Sequence, residues 1–244
     1  MNVVSREEWL TARKELLARE KQLTKERDEI ARLRRELPWV KVEKNYVFDG
    51  PNGKESLADL FEGRSQLIVY HFMFGPEWAE GCPSCSMIGD SIDGFKTHLE
   101  QRDVTLVVVS RAPLAKLEEF KKRMGWKFKW VSSYGTDFNW DYNVSFTKEE
   151  VAKKQMYYNF DTRFFPSDEG PGLSVFAKEG NGVFHTYSTY GRGAEPALPV
   201  YDYLDWAPKG RHEEGITPHP MGWVRHHDKY EQAPAKASCC EAHS

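Results

Sequence analysis

The chain has 244 residues, 40% of them hydrophobic and 29% charged, with a formal net charge of -3. That length allows one elaborated domain with a full core, and the balanced charge gives no electrostatic case for nucleic acid or an anionic membrane. No uninterrupted apolar stretch opens the sequence and no later run is long enough to span a bilayer, so neither a secretory signal nor a membrane segment is expected. The expected compartment is the cytoplasm, where thiols are kept reduced.

Residues 1–38 read as an amphipathic helical segment. Ser5 and Glu8 have the spacing of a capping box, and Pro38 ends the helix. Trp9, Leu16, Leu23, Ile30 and Leu37 recur every seven residues among Glu, Arg and Lys. Such a narrow stripe is expected to be buried, either on the chain's own domain or against a second copy in a homodimer.

A domain is expected over residues 39–207. Two short extended pieces, Val40–Val42 and Tyr46–Phe48, are followed by a turn through Gly50 and Gly53. Ser56 is placed to cap a short helix, Leu57–Phe61. The run Gln66–Phe74 is apolar on both faces and β-forming, as in a central buried strand. A loop then leads to Cys82, and Met87, Ile88, Ile92, Phe95 and Leu99 have helical spacing. A second buried strand at Val104–Ser110 and an amphipathic helix at Leu114–Met124 complete a βαβ pattern with parallel strands. The segment 126–146 reads as aromatic and loop-like, with a strand near Phe128–Ser132 and a helix at Lys148–Gln155 after it. Strands at Leu173–Lys178 and Val183–Thr189 flank Glu179-Gly180-Asn181-Gly182, which predicts a hairpin. Tyr201–Trp206 reads as a last helix. Residues 208–244 read as an irregular extension that wraps the surface and ends in a disordered tail.

The four cysteines form two close pairs, Cys82/Cys85 and Cys239/Cys240, which is not the layout of a structural disulfide framework. Cys82-Pro83-Ser84-Cys85 lies where a buried strand gives way to a helix. A helix N-terminus carries partial positive charge and unpaired amide donors, which favour a thiolate. Pro83 suits the first helical position. Two intervening residues let the second sulfur reach the first, so Cys82 is expected to attack a substrate disulfide and Cys85 to resolve the mixed disulfide. The alternative is a zinc site, but one CxxC supplies two of four ligands and no second pair follows at finger-like distance. His71 reads as a buried, hydrogen-bonded residue rather than a ligand.

Residues Tyr46 to Thr189 resemble the thioredoxin superfamily, in the branch that holds peroxiredoxins and membrane-tethered thiol reductases. The likeness rests on the early hairpin, the Ser56-Leu57-Ala58-Asp59-Leu60 segment, the apolar strand and the cysteine loop. Trp78 to Cys85 is similar to thioredoxin's tryptophan-led motif, with Gly81 where a second tryptophan is usual. The whole chain resembles a bacterial family catalogued as domain of unknown function 899, on phrases such as His185-Thr-Tyr-Ser-Thr-Tyr-Gly-Arg-Gly193 and Leu204-Asp-Trp-Ala-Pro-Lys-Gly-Arg211.

The resemblance implies a thioredoxin-like α/β three-layer sandwich with a mixed sheet, carrying the long N-terminal helix in addition. It implies that Pro171 begins the strand running past the dithiol, and that Trp78, Pro83 and Pro171 bind substrate. Peroxiredoxins read Pro-x-x-x-Thr-x-x-Cys; here the proline and threonine places hold Gly75 and Ala79, which weakens a peroxidase reading. The expected activity is thiol–disulfide exchange, without cofactor or metal. Its expected partners are a protein or small-molecule disulfide and an unidentified thiol reductant. Thiol peroxidase, or a metal- or partner-binding module without catalysis, are the alternatives.

Overall fold

The computed structural model describes residues 2–217 and 219–231. Cys239 and Cys240 lie outside the described residues, as does the expectation of a disordered tail. Contacts divide the chain after Val40 into two units.

The first unit is the helix α1, Arg6–Arg35. Ser5 caps it: its Oγ accepts from the Glu8 amide at 3.2 Å, and the Ser5 amide donates to the Glu8 carboxylate at 2.9 Å. The capping box read from sequence is therefore formed. Arg13–Glu20 and Arg32–Glu29 pairs, at 2.8 and 2.6 Å, run along its surface. Taken by itself, the helix gives the stripe no cover. No α1 residue is buried, and Leu23 is 48% exposed. One apolar residue per two turns makes a seam too narrow to enclose itself, and charged side chains flank it on both sides.

The second unit is built on one mixed sheet. Its strands are β1 (Val40–Lys41), β2 (Val47–Gly50), β3 (Gly53–Ser56), β4 (Gln66–His71), β5 (Val104–Ser110) and β6 (Trp130–Ser132), with β9 (Gly172–Glu179) and β10 (Gly182–Tyr190) later in the chain. Across the sheet the order is β1-β10-β9-β4-β5-β6-β2-β3. β4, β5 and β6 run parallel, and β9 lies antiparallel to β4 with His71 opposite Gly172. Between these strands come α2 (Pro83–Glu100) and α3 (Leu114–Met124), and α6 (Pro199–Trp206) follows β10. A β4-α2-β5 unit followed by an antiparallel hairpin on the other side of β4 is the thioredoxin-like arrangement, and the chain has that fold.

Side chains alternate across the sheet with the strand period of two. Ile68, Tyr70, Phe72, Leu106 and Val108 join the cluster under α2, α3 and α6. Leu67, Val69, Val107 and Val109 join the opposite cluster, which includes Leu60, Phe61 and Phe138. Phe138 belongs to the short helix α4 (Phe138–Asp141). These two clusters are why Gln66–His71 reads as apolar on both faces.

Several elements differ from their expected form. Ser56 does receive the Asp59 amide at 3.3 Å, but the turn after it is only Asp59–Phe61, in 3-10 form. The turn read through Gly50 and Gly53 does join two paired strands, Val47 facing Ser56 across the hairpin. The helix expected to run to Gln155, α5 (Lys148–Lys153), stops at Lys153. A hairpin of β7 (Met156–Tyr158) and β8 (Asp161–Arg163) follows, which sequence pattern did not predict. With three residues to each strand there is too little alternation to detect. The 208–231 extension is not merely superficial, because Val224 and His226 are buried.

Candidate active site

The cysteine loop is fixed by backbone and packing before any thiol chemistry enters. Phe72 continues β4 by donating its amide to Val109 O at 2.9 Å, and the Ala112 amide donates to Phe74 O at 2.8 Å. The Lys116 ammonium bonds Pro76 O at 2.6 Å and Trp78 O at 3.3 Å. The Trp78 ring lies so close to Gly75 that a Cβ there would come within 2.9 Å of the indole. Gly81 is similarly constrained, since a Cβ would meet the Phe72 ring at 2.7 Å. That contact explains why glycine stands where the resemblance leads one to expect a second tryptophan.

The Cys82 amide donates to Met73 O at 3.0 Å, and Cys82 is the N-cap of α2 with Pro83 at its first position. Helix α2 therefore begins at Pro83, the first helical position read from the sequence. Both cysteines are free thiols, Cys82 half-buried and Cys85 2% exposed.

Their environments differ in a chemically useful way. The Cys82 thiol is held below the ordinary cysteine value, first by a hydrogen bond from the Cys85 thiol and then by the Cys85 and Ser84 amides, with burial opposing. The Cys85 thiol is pushed well above that value, first by burial and then by its hydrogen bond to Cys82. The arrangement pairs a partly buried sulfur that ionises readily with a fully buried one that stays protonated.

Pro171 immediately precedes β9, and the Gly172–His71 pairing puts it at the edge where β4 turns into the cysteine loop. Its carbonyl accepts from the Tyr158 hydroxyl at 2.6 Å, which in turn accepts from the Gly191 amide at 2.9 Å. Trp78 is tied to the same segment, its indole N–H donating to Asp168 Oδ1 at 3.1 Å. All five residues singled out from sequence, Trp78, Cys82, Pro83, Cys85 and Pro171, thus lie in segments that leave the sheet at this end of β4 and β9.

Other residues there were not read from the sequence. Glu169 is 1% exposed and is held by Arg111 at 2.5 Å and by the Ser145 hydroxyl at 2.8 Å. Arg111 also lies over the Trp140 ring at 4.4 Å. His226, 3% exposed, approaches from the far end of the chain. Its Nε2 donates to Gly81 O at 2.8 Å, and its Nδ1 accepts from Arg123 at 3.0 Å. Glu80 lies between Arg123 at 2.5 Å and Lys229 at 2.7 Å. A lone Glu in a Gly-Pro loop and a His in a polar extension carry no periodic signal, so only their distant partners identify them.

His71 is buried on the opposite face of β4, as expected, with Nε2 on Ser174 Oγ at 2.8 Å. Among the described residues no group of three or more His, Cys, Asp or Glu side chains is arranged to hold a metal ion. Among them, too, no helix is long and apolar enough to cross a membrane.

The sequence matches the family described as "Bacterial protein of unknown function (DUF899)" over residues 1–230. No curated protein matches it. Among solved structures it is similar to the bacterioferritin comigratory protein of Xanthomonas campestris, at 14% identity over 63% of this chain and 86% of that one, with a TM-score of 0.43. PrxQ of Xylella fastidiosa matches at 14% identity over 68% and 94%, with a TM-score of 0.45. Peroxidoxin BcpB of Mycobacterium tuberculosis matches at 11% over 69% and 97%, with a TM-score of 0.42.

Proposed function

The chain belongs to the DUF899 family of bacterial proteins, and from that premise, which fixes a family but no activity, we propose that it is a thiol–disulfide oxidoreductase with Cys82 as nucleophile and Cys85 as resolving thiol. The observation that carries this reading is the asymmetry of the pair: Cys82, half-buried at the start of α2, ionises easily, while Cys85, buried beneath it, does not. A nucleophile must be ionised and reachable, and a resolving thiol must stay protonated until the mixed disulfide exists.

The Cys82 thiolate attacks a substrate disulfide, forming a mixed disulfide and releasing one substrate thiolate. Cys85 loses its proton and attacks the Cys82 sulfur, and the second substrate thiolate leaves. Two electrons and two protons pass to the substrate, and a thiol reductant of the cell regenerates the dithiol. In this reading Trp78, Pro83 and Pro171 form the surface for the substrate chain, which the Trp78–Asp168 bond and the place of Pro171 ahead of β9 support. A cytoplasmic setting suits this direction, because the thiol pool there keeps the pair reduced.

Reduction of insulin disulfides in the presence of dithiothreitol tests the reading. The wild-type chain should accelerate it, and Cys82→Ser should abolish the acceleration. Cys85→Ser should accumulate a mixed disulfide visible by mass spectrometry. Iodoacetamide should modify Cys82 first, with a pH midpoint below that of a free cysteine. An inactive wild-type chain that instead consumes peroxide with thiol oxidation would replace this reading by thiol peroxidase.

A further inference from the structure

Tyr70 carries the only buried hydroxyl among the described residues that makes no well-formed hydrogen bond, and the one acceptor within its reach is the Cys85 sulfur. The residue is 1% exposed. A buried polar group without a partner is costly, and phenylalanine would fill the same space without that cost. A hydroxyl at such a place calls for an acceptor that is strong in one state of the protein and weak in another.

The alternation along β4 turns Tyr70 to the α2 side, into the same cluster as Cys85, Phe72 and Ile88. Apart from burial, the cysteines dominate its surroundings, Cys85 first. Cys85 Sγ has one backbone donor, the Met73 amide at 3.5 Å. As a thiol it is a weak acceptor that asks for nothing more. As a thiolate in an apolar cluster it needs further donors.

We propose that the Tyr70 hydroxyl donates a hydrogen bond to the Cys85 thiolate as that thiolate forms, and so governs the resolving step of the dithiol reaction. This rests on the dithiol reading given above. Once the mixed disulfide has formed, the Cys85 proton passes to the departed substrate thiolate or to water. The Cys85 thiolate then bonds to the Cys82 sulfur, the Cys82–substrate bond breaks, and the second substrate thiolate leaves to be protonated. Tyr70 keeps its own proton throughout, because burial and the neighbouring sulfurs push its ionisation well above that of an ordinary phenol. It is a donor and not the base.

Dithiobis(nitrobenzoate) reports both steps in a full-length chain carrying Cys239→Ser and Cys240→Ser. Attack by Cys82 releases one coloured thiolate, and attack by Cys85 releases the second. In that background Tyr70→Phe should leave the first release at its original rate. It should slow the second by roughly tenfold or more, the worth of a hydrogen bond to a charged group, and move its pH midpoint upward. The thermal midpoint should not fall, since the hydroxyl removed meets only the neutral Cys85 thiol, a weak acceptor. A packing role would not separate the two releases or shift the pH profile. Two releases with an unchanged second phase would overturn the role of Tyr70 and leave the dithiol reading standing. A lowered thermal midpoint would also overturn it, by revealing a structural partner. A single release from the background chain would remove the dithiol reading and the role of Tyr70 together.

Discussion

Glu169 shows how one residue can couple the candidate site to pH. Burial pushes its carboxyl up from 4.5 to about 7, even though Arg111 and Ser145 pull the other way. The folded chain therefore holds this proton more tightly than the unfolded chain does. The stability it contributes is complete below about pH 4.5 and is lost as pH rises through about 7, on the order of 3 kcal/mol in all. His71 acts in the opposite sense, since burial depresses it from 6.5 to about 3 and keeps it neutral in the fold. Its contribution is complete above about pH 6.5 and is lost on acidification. Denaturant titrations of the wild-type chain and Glu169→Gln isolate the first effect, because the His71 contribution cancels in their difference. The wild-type chain should lose stability relative to the variant between about pH 5 and pH 8. A difference that stays flat across that range would show that Glu169 is ionised throughout. None of this was legible in the sequence, where Glu169 is one acid beside Asp168 in a loop. Its chemistry depends on Arg111, 58 residues earlier, and Ser145, 24 residues earlier.

At the scale of elements, the strap from Pro220 to Tyr230 decides how firmly the cysteine loop is held. His226 bonds the Gly81 carbonyl and lies against the Phe120 ring at 5.2 Å. The Arg123 guanidinium joins Asp228 at 2.8 Å to Glu80, and His227 reaches Asp90 at 2.7 Å. The exposed ion pairs add little each, whereas the buried imidazole carries packing and two hydrogen bonds. His226→Ala should therefore lower stability by about 2–3 kcal/mol, while Lys229→Ala should cost under about 1 kcal/mol. Thermal melts compare the two, and equal losses would mean that the strap is held by its charges. Iodoacetamide should also reach Cys82 faster in His226→Ala. The α1 helix poses the reverse case, an element whose existence was plain and whose partner was not. Its capping box and heptad-spaced stripe predicted a helix, and Arg6–Arg35 is one. Burial of the stripe was an inference from amphipathicity, and amphipathicity says that an apolar seam wants cover without saying what covers it.

For the whole molecule, that open seam bears on assembly. If it is a subunit contact, the wild-type chain sediments or scatters as a dimer and Leu23→Glu as a monomer at the same concentration. The thermal midpoint of the second unit should be unchanged. A monomeric wild-type chain would remove the homodimer reading. The sequence by itself determined the central strands, the helices after them and the place of Cys82 and Cys85 at a strand-to-helix junction. These depend on local periodicity and on helix-start chemistry, which neighbouring residues express in full. It also marked Trp78, Pro83 and Pro171, through a resemblance carried by short phrases. Only the tertiary structure decided the register of β9 on β4, with His71 opposite Gly172, and that His226 crosses 145 residues of sequence to bond Gly81. It alone decided that the hydroxyl of Tyr70, without a well-formed hydrogen bond, lies in the cluster that holds Cys85. The physical reason is range: propensity and capping act over a few residues, whereas desolvation and buried hydrogen bonding depend on whatever the folded chain brings near.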